Sequence, residues 1–160
     1  MRANVDVVLR VFRAVEQRDA EELFSLYHPD VEFHDAPSLP YGGSVRGKDQ
    51  LRELLERAPG ETWLGTWGPL QPTEAESSMD PRVVAANDTE VVVLYRQRAV
   101  DPAGERLDAP VLGLYEVREG KLARAQMFHF DTAALVEFLT RAKGRLARQA
   151  AAAAGCSPRP

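Results

Sequence analysis

A single cysteine, Cys156, is all the thiol chemistry the chain carries. One thiol closes no internal disulfide and builds no cysteine metal cluster, so the sequence suits a reducing compartment and a cytoplasmic location is expected. Long hydrophobic runs are missing too: no stretch approaches the roughly 20 apolar residues of a membrane span. The opening MRANVDVVLR intersperses charge among its apolar positions and offers no small-residue cleavage site, so it does not read as an export signal. Positive charge is not in excess. With 24 acidic and 20 basic residues the net charge is −4, which argues against nucleic acid or an anionic membrane as partner, since both select a basic surface. What is present is a 44% hydrophobic composition over 160 residues, too apolar for disorder and sufficient for one domain with its own core.

Hydrophobic spacing divides the chain. Val5, Val8, Leu9, Phe12 and Val15 recur at helical intervals, and Leu23, Phe24, Leu26 and Tyr27 predict a second, shorter helix stopped at His28-Pro29-Asp30. Val31 to Asp35 is a short strand, and Leu51, Leu54 and Leu55 mark a third helix. Residues 61–80, with Trp63 and Trp67 among glycines and prolines, read as an edge strand or ordered loop. Strands follow at 83–86, 90–100, 107–117 and 122–130, the middle two joined by the turn Asp101-Pro102-Ala103-Gly104. Asp131-Thr132 then caps a helix with the apolar face Leu135, Phe138, Leu139 and Ala142. Helices and strands are segregated along the chain, which predicts an α+β fold: a curved antiparallel sheet wrapped around the N-terminal helices, with a pocket at the open end of the cone. Residues 1–148 form the single domain, and the alanine-rich 149–160 is expected to be a disordered tail.

The stretch VEFHDAPSLPYGGSVRG, residues 31–47, carries the candidate chemistry. A His and an Asp stand side by side where a strand runs into a loop broken by prolines and a glycine pair, and a tyrosine follows. Strand ends hold polar working groups rigidly. Strand alternation puts Val31, Phe33 and Asp35 on one face and Glu32 and His34 on the other. Asp35 is the first candidate base, because a carboxylate in an apolar pocket is penalised for its charge and exchanges protons nearer neutrality; a side-chain turn with the loop backbone is its structural alternative. His34 is the runner-up base. Tyr41 is a candidate donor to a developing oxyanion, or else a packing residue on the third helix.

Several segments read together resemble a known family, the SnoaL-like branch of the nuclear-transport-factor-2-like superfamily. They are Asp19 with Leu23-Phe24-Ser25-Leu26-Tyr27 and His28-Pro29-Asp30-Val31-Glu32-Phe33, then Ser44-Val45-Arg46-Gly47, Glu119-Gly120-Lys121-Leu122, and Phe128-His129-Phe130-Asp131. The resemblance spans about residues 4–140 and implies a cone-shaped pocket, no metal or cofactor, acid–base chemistry where there is catalysis, and a homodimer formed through the sheet. The superfamily also contains binding proteins without catalysis, so fold alone does not assign function.

The resemblance sets Asp35 close to the proton-shuttling carboxylate of ketosteroid isomerase. That enzyme's helix tyrosine falls on Val11, and its second acid has no counterpart near the apolar Gly113 region. The last-strand Asp of limonene epoxide hydrolase falls on Phe128. On the same alignment Gln126, Phe128 and Phe130 face the pocket, while Met127 and His129 face away, His129 at a dimer surface. Phe12, Tyr27, Trp63, Trp67 and one of Tyr95 and Arg96 complete the expected lining. These readings imply a small cofactor-independent cyclase or isomerase acting on a hydrophobic, polyketide-type metabolite. The alternatives are a non-catalytic small-molecule-binding or dimerisation module, and a dehydratase or epoxide hydrolase of the same fold.

Overall fold

The computed structural model describes residues 1–155. Helix α1 (Arg2–Gln17) buries Val8, Val11, Phe12 and Ala14 and ends with Arg18 in the left-handed conformation. Helix α2 (Ala20–Leu26) starts on the Asp19 side chain, which accepts the Glu22 amide, the usual way of satisfying an unpaired first-turn N–H. Strand β1 (Tyr27–Asp35) leads by the 36–42 loop to β2 (Gly43–Arg46), and helix α3 (Lys48–Arg57) follows. Short helical turns occupy the next segment, among them α4 (Trp63–Trp67) and α5 (Glu74–Ser77). The edge strand or loop expected at 61–80 is therefore a set of capped turns: Thr62 caps α4, and Thr73 with Glu76 forms a reciprocal capping box on α5.

Strands β3 (Arg82–Ala86), β4 (Glu90–Val100), β5 (Arg106–Arg118) and β6 (Lys121–His129) pair antiparallel in succession. The six strands form one open, curved sheet in the order β2-β1-β6-β5-β4-β3. The β1–β6 pair is parallel, so the sheet is mixed where antiparallel pairing throughout was expected. Nearly the whole chain between β1 and β6 is the crossover that parallel pairing requires.

The register of β6 changes within the strand. Val117 faces Leu122, whereas Glu116 faces Arg124, so Ala123 is an extra residue, a β-bulge. A bulge of one residue moves every later side chain to the opposite face of the sheet. Leu122 points inward before it; Ala125 and Met127 point inward after it.

Two apolar clusters hold the fold. The larger packs α1 and α2 on the concave face of the sheet around Val8, Phe12, Leu23, Val31, Val93 and Leu122. The smaller joins the 36–42 loop, α4 and the last helix α6 (Thr132–Gly155) through Leu39, Tyr41, Trp67, Leu135, Phe138 and Leu139. Asp131 accepts the Ala134 amide at the start of α6 at 3.0 Å, the expected cap. On α6, Arg141 and Arg145 reach the β4–β5 turn, pairing with Glu105 at 2.5 and 2.8 Å. Arg145 also pairs with Asp101, whose side chain is fully buried. Burial raises the Asp101 pKa, but Arg145 and two backbone amides outweigh it and hold this carboxyl below its ordinary range. Residues 149–155 continue α6 as an exposed helix, correcting the disorder expected from 149; alanine has the highest helix propensity, and the run extends a helix already anchored by packing. The remainder of the expected tail, with Cys156, lies outside the described residues. No described helix is long and apolar enough to cross a membrane.

Phe138 fills the smaller cluster behind the loop that carries Tyr41. Phe138→Ala is expected to cost about 3–5 kcal/mol, the usual loss for emptying a buried phenylalanine site. Urea denaturation checks it, and a loss under 1 kcal/mol would show that the cluster does not support the fold.

Candidate functional site

Between the helices and the concave sheet lies a cavity of about 120 Å³. Its walls are apolar. Val11, Phe12 and Val15 come from α1; Leu51, Leu54 and Leu55 come from α3, where they form the helix's apolar face without being fully buried. Phe33, Met127 and Leu122 come from the sheet, and Trp63 and Leu64 from α4. Few polar residues line this space: Asp35, Tyr27, Tyr41, Tyr95 and Tyr115, with Glu61 and Thr62 on α4's approach. No lysine, arginine or histidine is among the cavity-lining residues.

Asp35 ends β1 on the inward face, as strand alternation predicts. Its side chain is 6% exposed, and its Oδ1 has no hydrogen-bond partner. His129 lies beside it, with Nε2 3.5 Å from Oδ1 and a side chain 2% exposed. Neither ring nitrogen of His129 has a hydrogen-bond partner. Buried polar atoms are almost always paired, because an unmade bond there costs about 1–3 kcal/mol. Three of the four unpaired buried side-chain atoms among the described residues lie on these two adjacent titratable groups, the fourth being Arg124 Nε.

His129 is a correction to the sequence reading, which turned it away from the pocket, and the bulge at Ala123 is the cause. With the parity of β6 reversed, Gln126 and Phe128 point outward, and Phe128 is 49% exposed. Neither lines the cavity, and Phe130, 88% exposed, lies beyond the strand. Met127, expected on the outer face, lines the cavity.

His34 is also outside. On the opposite face of β1 from Asp35, it contacts Ser44 at 2.8 Å and Glu32 at 3.1 Å. The Glu32 carboxyl is held below its ordinary range, chiefly by His34. Trp67 is fully buried but belongs to the smaller cluster and does not line the cavity; its indole N–H donates to the Tyr41 hydroxyl at 3.0 Å. Trp63 lines the cavity as expected, and its N–H is taken up by Gln97 at 3.1 Å. Phe12, Tyr27 and Tyr41 also lie where the sequence reading put them. Of Tyr95 and Arg96, it is Tyr95 that faces inward; Arg96 pairs with Asp108 at 2.7 Å on the outer face.

Tyr41 sits in a loop that folds back tightly. A Cβ on Gly42 would fall 2.1 Å from the Ala36 carbonyl oxygen, so only glycine fits there. The Tyr41 oxygen accepts from Trp67, which leaves its own proton free to donate. Burial pushes the Tyr41 pKa well up, and the nearby Asp35 charge adds to the effect, so the group is a donor across the ordinary pH range. The same causes, burial first, raise Tyr95 and Tyr115. Tyr115 was missed in the sequence, although it shares the parity of Val111 and Val117 on β5.

Comparisons with known proteins agree with this geometry. The family model described as a SnoaL-like domain matches residues 8–125. A protein of Mycobacterium tuberculosis strain H37Rv, described as uncharacterized, is 31% identical over 136 residues, covering 85% of this chain and 95% of its own. Among solved structures, TerC co-crystallised with polyporic acid superposes with a TM-score of 0.68 at 23% identity, covering 86% of this chain and 98% of TerC. A Burkholderia pseudomallei NTF2-like protein of unknown function gives 0.68 at 21% identity, covering 88% and 99%. A Xanthomonas campestris protein provisionally named a polyketide cyclase gives 0.58 at 16% identity, covering 86% and 97%. At these identities the structures share the fold, and their chemistry remains their own.

Two substitutions separate a group kept at a cost from one that supports the fold. Asp35→Asn keeps the shape and replaces a buried carboxyl whose Oδ1 has no hydrogen-bond partner, so stability is expected to rise by about 1 kcal/mol. Tyr41→Phe strands the Trp67 N–H and is expected to cost about 1–3 kcal/mol. Urea denaturation of both variants checks the signs; a destabilised Asp35→Asn would mean that the carboxylate has a structural bond.

Proposed function

The chain belongs to the SnoaL-like family, and from that premise we propose that it is a cofactor-independent cyclase or isomerase moving a proton on a carbon next to a carbonyl. The observation that carries this reading is the unpaired Asp35 carboxylate at the inner end of an apolar cavity. Asp35 Oδ1 accepts the proton from the substrate's α-carbon, and the C–H electron pair passes into an enolate. The carboxylic acid then returns the proton to another carbon of the conjugated system, which is isomerisation. Alternatively the enolate carbon attacks a second carbonyl of the same molecule, which closes a ring, and the acid protonates the new alkoxide. Carbon, hydrogen and charge balance in both sequences, and neither needs a second reagent.

His129 stands behind Asp35, its Nε2 3.5 Å from Oδ1, and holds that end of the carboxylate against the sheet. Tyr41, a protonated donor near Asp35, is available to the developing oxygen charge. The absence of cationic residues from the lining, together with the carboxylates of Asp35 and Glu61, favours an uncharged substrate. The volume is of the order of an engineered apolar cavity that holds a benzene ring, so the enclosed part is a single ring or a chain of similar bulk. A polyketide-type metabolite fits that description, and the polyketide-cyclase names given to two structural neighbours lend it support.

The alternative is a binding module without turnover, favoured by the same apolar lining, and one experiment separates the two. In deuterium oxide, 1-indanone exchanges its α-protons, and NMR reads the exchange directly. The protein is expected to accelerate it, and Asp35→Asn to reduce the acceleration by about 10²–10⁴-fold, the usual contribution of a general base. His34→Gln is expected to leave it unchanged, since His34 faces the outer surface. Binding of 1-indanone without accelerated exchange would establish the binding module and retire the enzyme reading.

A further inference from the structure

Gly113 lies on the inward face of β5, two residues from Tyr115. A Cβ there would fall 2.3 Å from the Tyr115 hydroxyl oxygen and 2.4–2.5 Å from two of its ring carbons. The Tyr115 ring is therefore laid back along its own strand, with the hydroxyl directly above the glycine. Gly113 pairs with Val93 on β4 and with Met127 on β6. Carrying the β1–β6 register one residue past His34↔Gln126 sets Asp35 beside Met127. The Tyr115 hydroxyl and the Asp35 carboxylate thus share one cross-sheet row, two strand spacings or about 10 Å apart at the backbone. Both residues line the cavity.

Tyr95 completes the arrangement. It pairs with Val111, the next inward position beyond Gly113, so Tyr115 leans toward it. Phe12 packs edge-on against both rings, with centroids 5.1 and 5.6 Å away, and fixes their planes. A protonated phenol has a proton to give to a ligand oxygen, and burial keeps Tyr115 protonated.

We propose that Tyr115, seated by Gly113 beside Tyr95, is the binding point for the ligand's oxygen, selecting an enol, phenol or carbonyl group on the enclosed ring. This deepens the proton-transfer reading and rests on it for the identity of the bound oxygen: a substrate held there presents its neighbouring carbon toward Asp35. It adds a donor distinct from Tyr41, whose hydroxyl accepts from Trp67 and keeps its own proton.

The test uses the full chain and two probes of equal shape, 4-methylphenol and 1,4-dimethylbenzene, with affinities read by NMR titration of amide resonances. The phenol-to-hydrocarbon affinity ratio is expected to fall about tenfold in Tyr115→Phe, the worth of one net hydrogen bond. Tyr95→Phe is expected to lower the ratio less. Unchanged affinity for 1,4-dimethylbenzene in Tyr115→Phe shows that the cavity is intact. Gly113→Ala, which evicts the ring, is expected to lower the ratio as Tyr115→Phe does. A ratio that survives Tyr115→Phe overturns the proposal, even where Asp35→Asn has abolished exchange of 1-indanone and so upheld the proton-transfer reading. A ratio lost in Tyr115→Phe supports it even where the wild type catalyses no exchange.

Discussion

The parallel pairing of β1 with β6 is the contact on which the remaining architecture depends. It joins the strand that follows the first two helices to the last strand in the chain, with nearly everything between them serving as the crossover that parallel pairing requires. This contact sets the inward face of β1 against the inward face of β6, bringing Asp35 and His129 together from positions far apart in the chain. It also closes one side of the cavity, since Phe33 and Met127 lie on the two paired strands.

Around that contact the interior is divided by purpose. The larger cluster packs conventionally but stops short of filling the space under α3, where Leu51, Leu54 and Leu55 face the opening. An unfilled apolar space forfeits dispersion contacts and costs stability. The smaller cluster offsets this by fixing the cavity rim from behind: Trp67 bonds Tyr41, α6 covers both, and the paired arginines of α6 hold it to the β4–β5 turn. Rigid support around a soft centre is the arrangement expected when polar groups must be held unpaired until a ligand arrives.

The outer face of the sheet has a different character. Leu94, Leu112 and Phe128 lie side by side across β4, β5 and β6, and the last two are exposed. Close by, Arg96, Arg98 and Asp108 form a charged network. The face therefore combines an apolar row with a polar border, while the concave face is almost wholly apolar. The contrast explains why a single change of parity in one strand matters so much to the reading of the site.

Much of this was legible in the residues themselves. Helical spacing marked α1, α3 and the apolar face of α6; proline and glycine marked the loop after β1; alternation set Asp35 inward and His34 outward. These are local properties, decided by periodicity and by the conformations single residues allow. The bulge at Ala123 was not legible, because nothing in LARAQMF distinguishes a regular strand from one carrying an extra residue. Only pairing with β5 reveals it, and with it the inward turn of His129 and the outward turn of Phe128. Nor did local pattern show that Gly113 makes room for Tyr115, since a glycine in a strand has several causes. Composition and local spacing determined which elements form and which face each presents over short stretches. The tertiary structure decided which residues meet, because strand register and long-range pairing depend on contacts between segments that no single stretch of sequence contains.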